Sequence, residues 1–270
     1  MSPTGLAGAL PVLCTGVVGL VLAALEPLRP RLARVGLGLG LAALAGALAG
    51  VAALWPGSPE PGLGGGGLRA DGFALFVQAA VLVCTAFALL LAWHTRDSWA
   101  PGSTGLLLLG ASGACLVALA VDLVAILTGL VASMLPLVAV SAASSGQHGR
   151  EAALKGLVAT ALGAGLLAFG AALIASQTGT TLLDALPAEL ERLGWIGDRP
   201  LLVAGLALCL AGLCVFMAAV PFHLVFPDAV EGTPTPAAVL LTGGVLVAGL
   251  AATGRVVLSG FGGAVLSGPG

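Results

Sequence analysis

Apolar runs of about twenty residues without a charge recur along almost the whole chain, and this constrains the fold more than any other feature. They cover residues 5–25, 35–54, 73–93, 103–121, 123–145, 156–176, 201–222 and 237–254. A hydrocarbon core about 30 Å thick takes about 20 residues of helix to cross, and backbone groups in lipid are satisfied only inside a helix or a closed barrel. Barrel strands would alternate apolar with polar residues. These runs are continuous, so they predict an all-α integral membrane protein, a single transmembrane domain over 1–270 made of about eight transmembrane helices.

Composition closes off the alternatives. Only 8% of residues are charged, whereas a soluble domain wets its surface with about a quarter. Ten basic and twelve acidic residues are too few for a nucleic-acid patch or a polybasic lipid anchor. Cys14, Cys84, Cys115, Cys209 and Cys214 all lie in apolar runs without a C-x-x-C pair or a Cys/His cluster, so zinc, iron-sulfur and disulfide frameworks have no support.

Between the fourth and fifth runs stands little more than Asp122, which predicts a tight turn at the membrane surface, because an unpaired carboxylate inside a long buried stretch is costly. Residues 177–200 carry Asp184, Glu189, Glu191 and Asp198 with Leu/Ala spacing that predicts a short amphipathic surface helix. Gly64 to Gly67 read as a flexible loop, and residues 256–270, with five glycines, as a loosely ordered tail. The start of the chain lacks the positive region of a cleavable signal, so the first run is expected to stay as an anchor. An external N-terminus places six basic residues inside against four outside, with Arg29, Arg31, Arg34, Arg150 and Lys155 in the cytoplasm. Small residues, Gly163 and Gly165 among them, suit close helix packing rather than phosphate binding.

Moving protons or cations across a bilayer requires ionisable groups within the bundle. None of the eight runs has one near its middle. Gln78, Thr85, Ser112, Thr128, Ser133, Ser141, Thr160 and Thr242 remain, and they suit hydrogen bonds within and between helices. At the edges, Glu151 and Lys155 stand four apart at the start of the sixth run, the spacing of a local ion pair. Residues 220–236 read VPFHLVFPDAVEGTPTP, whose four prolines end one helix and start the next, with Thr233 or Thr235 as a cap. His223, Asp228 and Glu231 beside this break are groups a proton mouth would use.

Those motifs carry a resemblance. Glu151-Ala-Ala-Leu-Lys155, Thr178-Gly179-Thr180 and above all the stretch from VPFH through Pro227-Asp228 to Glu231-Gly232-x-Pro234-x-Pro236 resemble subunit N of the proton-translocating NADH-quinone oxidoreductase, complex I, one of the antiporter-like proton-conducting membrane subunits. Asp122-Leu123, Gly129-Leu130 and Leu135-Pro136-Leu137 look like the turn and fifth helix of that family. The resemblance implies a helix bundle like the N-terminal part of those subunits, other membrane subunits of the oxidoreductase as partners, and residence in the plasma membrane. No cofactor is expected on this chain; NADH, FMN, iron-sulfur centres and quinone belong to partner subunits. It also implies charges that are absent here. The family pattern Gly-Leu-Glu in the fifth helix is Gly129-Leu130-Val131, the lysine four residues before the proline of VPFH is Met217, and a lysine in the eighth helix falls at or near Leu246. Family members usually continue to about fourteen helices, which include a second half-channel. The expectation is therefore a subunit N-like component with weakened or absent proton conduction, whose proton-path candidates are Lys155, Glu151, His223, Asp228 and Glu231. A cation/proton antiporter-type transporter, alone or in a multisubunit assembly, and a non-catalytic structural or assembly protein are the alternatives.

Overall fold

The computed structural model describes residues 3–28, 33–55, 66–94, 100–144, 146–194 and 198–262. Its helices are α1 (Pro3–Leu25), α2 (Ala33–Leu54), α3 (Gly72–His94), α4 (Ser103–Leu119), α5 (Leu123–Ala143), α6 (Gln147–Thr178), α7 (Leu186–Leu193), α8 (Pro200–Phe216), α9 (Val225–Glu231), α10 (Thr235–Leu240) and α11 (Leu246–Gly254). Six helical stretches are long and apolar enough to cross a membrane, the last being the continuous segment Thr235–Gly260; Ser103–Leu119 and Pro200–Phe216 are shorter apolar helices. The chain is a multi-pass membrane protein of helices, and among the described residues backbone pairing outside helices is limited to isolated bridges.

Close approach of backbones organises the bundle. α4 packs on α1 and α5, and α6 packs on α8. A Cβ on Gly113 would overlap the backbone of α5 at Ser133, and one on Gly170 would lie 2.6 Å from the Cys209 nitrogen of α8. Dispersion contacts between backbones hold membrane helices together where no hydrophobic force acts between them. Gly165, by contrast, meets nothing within 4 Å. Most polar side chains inside the helices bond their own backbone, as Thr85 does to the Val81 carbonyl at 2.7 Å and Thr160 to that of Gly156 at 2.7 Å. Gln78 and Ser112 reach across instead, Gln78 to Gly8 and Cys115 and Ser112 to Val12.

Several local expectations meet their geometry here. α4 ends at Leu119, and Asp122 caps α5, its carboxylate accepting the Ala125 N–H at 3.2 Å. The amphipathic helix is α7, with Leu186 and Leu190 buried and Glu189 paired to Arg192 at 2.8 Å. Gly64 and Gly65 lie outside the described residues, but the end of that glycine run is ordered: Gly66 has φ 93°, and the Gly67 carbonyl accepts the Val121 N–H at 3.0 Å.

Four readings are corrected. α6 starts at Gln147, so Glu151 and Lys155 lie one and two turns inside it rather than at its first turn. The seventh run does not stay helical to Phe222: α8 stops at Phe216, and the backbone turns at Ala218, φ 51°, before the proline cluster. Neither threonine caps the following helix; Thr233 donates backward to the Ala229 carbonyl at 2.6 Å, and Pro234 occupies the capping position. Residues 255–260 are helical rather than a loose tail, because Arg255, Val256 and Phe261 are buried against the core; residues 263–270 lie outside the described residues.

Candidate functional site

Helix order and loop contacts divide the ionic side chains between opposite ends of the bundle. At one end Lys155, projecting from α6, is 2.9 Å from Glu151 one turn earlier and 2.7 Å from Asp228 on α9. Two carboxylates thus face one ammonium. The side chains are 37%, 54% and 55% exposed, which makes this a surface cluster rather than a buried relay. The break after α8 is what folds α9 back onto α6 and brings Asp228 within reach, so the proline-rich stretch joins residues 73 positions apart. A hydroxyl pair locks the same junction: Ser141 of α5 and Thr233 are 2.8 Å apart. His223, in a 3-10 turn at Phe222–Leu224, and Glu231, at the end of α9, are exposed, and among the described residues no ion pair joins either to Lys155. Three of the five proton-path candidates therefore form one cluster and two stand apart.

Beside Lys155 a cavity of about 360 Å³ lies between α5, α6, α8 and α9. Its walls include Met134, Leu137, Val158, Phe216, Phe222 and Phe226, with hydroxyls from Ser141, Thr160 and Thr233 and with Lys155 at its edge. Their oxygens are already engaged, Thr160 with Gly156 and Ser141 with Leu137 and Thr233.

Val131 is half-buried against the apolar core. Met217 sits on the break itself, at the end of α8, and its sulfur accepts the Thr253 hydroxyl at 3.2 Å. Leu246 begins α11 directly after the π-helical turn Leu241–Val245. Interrupted helices and π-turns inside membrane segments free backbone groups and commonly mark functional sites. Here both devices are kept while the side chains at them are apolar or a thioether.

The opposite end holds a cluster that sequence reading missed. Arg69 bonds Asp71 at 3.2 Å and Asp184 at 3.0 Å, and Arg255, only 3% exposed, bonds Asp71 at 2.8 Å and the Ala118 carbonyl at 3.1 Å. The Arg255 guanidinium also lies 5.2 Å from the Phe73 ring centroid. An arginine inside a stretch of apolar helix was the available signal. Among the described residues no group of three or more His, Cys, Asp or Glu could hold a metal ion.

Fold and site define a polytopic helical membrane protein with a proline-broken helix, a π-turn and an adjacent Glu/Lys/Asp cluster. Residues 120–262, just over half of the chain, match the family described as NADH:quinone oxidoreductase/Mrp antiporter, TM, and the chain belongs to that family. It is 35% identical over 260 residues to NADH-quinone oxidoreductase subunit N of Rhodospirillum rubrum, covering 94% of this chain and 53% of the relative. With subunit N of Gemmatimonas aurantiaca it shares 32% over 200 residues, 73% of this chain and 38% of the relative. Among solved structures it is similar to a chain of respiratory complex I from Thermus thermophilus with bound aureothin, at TM-score 0.74 and 29% identity over 91% of this chain and 52% of that one. A chain of the Mrp complex from Dietzia sp. shares the fold at TM-score 0.82 and 20% identity, covering 97% of this chain and 50% of that one. The chain spans about half or less of the length of these curated relatives.

Proposed function

We propose that the chain is a membrane component of a proton-translocating NADH-quinone oxidoreductase, homologous to subunit N, whose own half-channel is interrupted. All eight apolar helices then cross the plasma membrane, the two 17-residue ones included, since 17 residues is the lower limit of a span. The N-terminus and the Arg69/Arg255 end face outside, and the Lys155 end faces the cytoplasm. NADH, FMN, iron-sulfur centres and quinone are held by partner subunits.

One observation carries this reading: the broken helix and the π-turn persist, yet Val131, Met217 and Leu246 stand where the resemblance implies charge. The adjoining cavity is walled by aliphatic and aromatic groups with its hydroxyls engaged. Apolar walls and hydroxyls already bonded offer few partners to a chain of waters, so beyond Lys155 at its edge this segment supplies no relay group.

Solubilising the chain from its native membrane in mild detergent, with identification of what co-migrates and an in-gel test for NADH oxidation, tests the assignment. Co-migration with oxidoreductase subunits is expected, together with no proton flux from the chain alone in liposomes. Migration alone with ion flux would replace this reading by an antiporter-type transporter, and migration alone without flux by an assembly protein. Within the complex, Lys155→Ala and His223→Ala should leave proton pumping unchanged. Loss of pumping in either would show a working path.

A further inference from the structure

Glu26 lies just past the end of α1 and is 1% exposed, although it carries no partner of opposite charge among the described residues. It sits at the Lys155 end of the bundle but in the other half, where the end of α1 meets the start of α4. Its Oε2 accepts the Gly102 N–H at 2.9 Å, and the Thr104 hydroxyl also bonds the carboxyl. Its Oε1 is buried without a hydrogen-bond partner. The space around Oε1 exists because α2 has a glycine there: a Cβ on Gly36 would overlap that oxygen.

Among the described residues the groups facing Glu26 are Leu22 from α1, Gly36 from α2, Gly102 from the connection before α4 and Thr104 from α4, none of them titratable. Two donors satisfy one carboxylate oxygen, and the helix N-terminus lends a partial positive charge. The second oxygen faces carbon. A full negative charge held this way loses its hydration without a counter-charge, so the neutral acid is the form this pocket accommodates. Burial pushes the Glu26 carboxyl above its ordinary value of 4.5, against the opposing pull of the Gly102 N–H and the Thr104 hydroxyl.

We propose that Glu26 is a proton-binding site, separate from the Lys155 cluster, whose neutral form docks the end of α1 onto the start of α4. The reaction is a simple dissociation: the Glu26 O–H releases its proton to water, and the carboxylate left behind draws water or a cation into the junction. The inference is independent of the interrupted channel, since none of its residues belongs to the cavity or the helix break.

Infrared spectroscopy of the full chain in detergent or nanodiscs, titrated between about pH 5 and pH 9, reads the neutral carboxyl directly through its carbonyl stretch. A protonated-acid band that shifts on carboxyl-labelling of glutamate with carbon-13 and disappears in Glu26→Gln is expected. In wild type that band should bleach as pH rises, with one proton released per chain that the variant does not release. The sign for stability follows: a raised carboxyl contributes stability that is complete below 4.5 and is lost as pH rises through the folded-state value. Wild type should therefore melt lower at high pH, and Glu26→Gln should lose that slope. Should Glu26→Gln fail to fold, the labelled wild type still decides. The other described glutamates are not buried, so absence of a neutral glutamate band from wild type near pH 5, or a band no stronger in wild type than in a folded Glu26→Gln variant, overturns the proposal.

Discussion

The two ends of the bundle use similar side chains to opposite effect. In the orientation proposed above, the end holding Arg255 is the outer one and the Lys155 end the inner. At the outer end Arg255 is buried and shares Asp71 with Arg69, which reaches on to Asp184, so four charges stitch together α3, the α6–α7 loop and the last helix. Backbone bridges reinforce the stitch, Leu68 to Ala120 and Asp122 to Leu182. At the inner end Lys155 with Glu151 and Asp228 lies open at the surface beside a helix break. A charge pair contributes according to how much water it has given up: exposed pairs are nearly neutral in stability, whereas breaking a buried one strands a charge. The outer cluster is therefore a structural closure, and the inner one is free to exchange partners.

Breaking the outer closure should have the largest effect. Asp71→Asn removes the counter-charge of buried Arg255 and should cost about 3 kcal/mol, at the low end for a stranded buried charge because Asp71 is 32% exposed. Thermal unfolding in detergent measures it, and replacing Arg255 by Met as well should recover part of the loss. At the inner end Thr233→Ala removes the hydroxyl link to Ser141, worth about 0.6 kcal/mol if it behaves as an average interhelical bond. A similar loss in Ser141→Ala and no further loss in the double variant would tie the effect to the pair. Lys155→Ala is the smallest change, with a melting midpoint expected within experimental scatter of wild type; a large drop would erase the contrast between the ends.

Met217→Lys probes the inner half differently. A lysine at mid-helix costs about 2.5 to 3.5 kcal/mol on insertion scales, an upper bound for a position at a helix end, and it is tolerated where water reaches it. Met217 is half-buried against Gly249 and Thr253 of α11, which predicts that Met217→Lys expresses poorly on its own. Full membrane yield and proton flux from that variant would show a hydrated path.

Helix positions were legible because lipid leaves the backbone no alternative: each apolar run maps onto a helix, and even the Asp122 turn and α7 fall where expected. The Glu151–Lys155 pair followed from helical spacing alone. Asp228 joining it did not, since a contact across 73 residues depends on how the chain turns after α8. Arg255 escaped for a related reason. Read singly, an arginine after an apolar run marks the end of a span; its burial becomes affordable only when Asp71, the Ala118 carbonyl and the Phe73 ring converge on it from other helices.

The sequence alone thus determined the class of molecule and the helices, because hydrophobic run length is a local property. Tertiary structure decided which surviving charges meet, which are buried and where the apolar cavity lies. Those are set by long-range packing, where a glycine such as Gly36 or a turn such as that at Ala218 fixes what can approach.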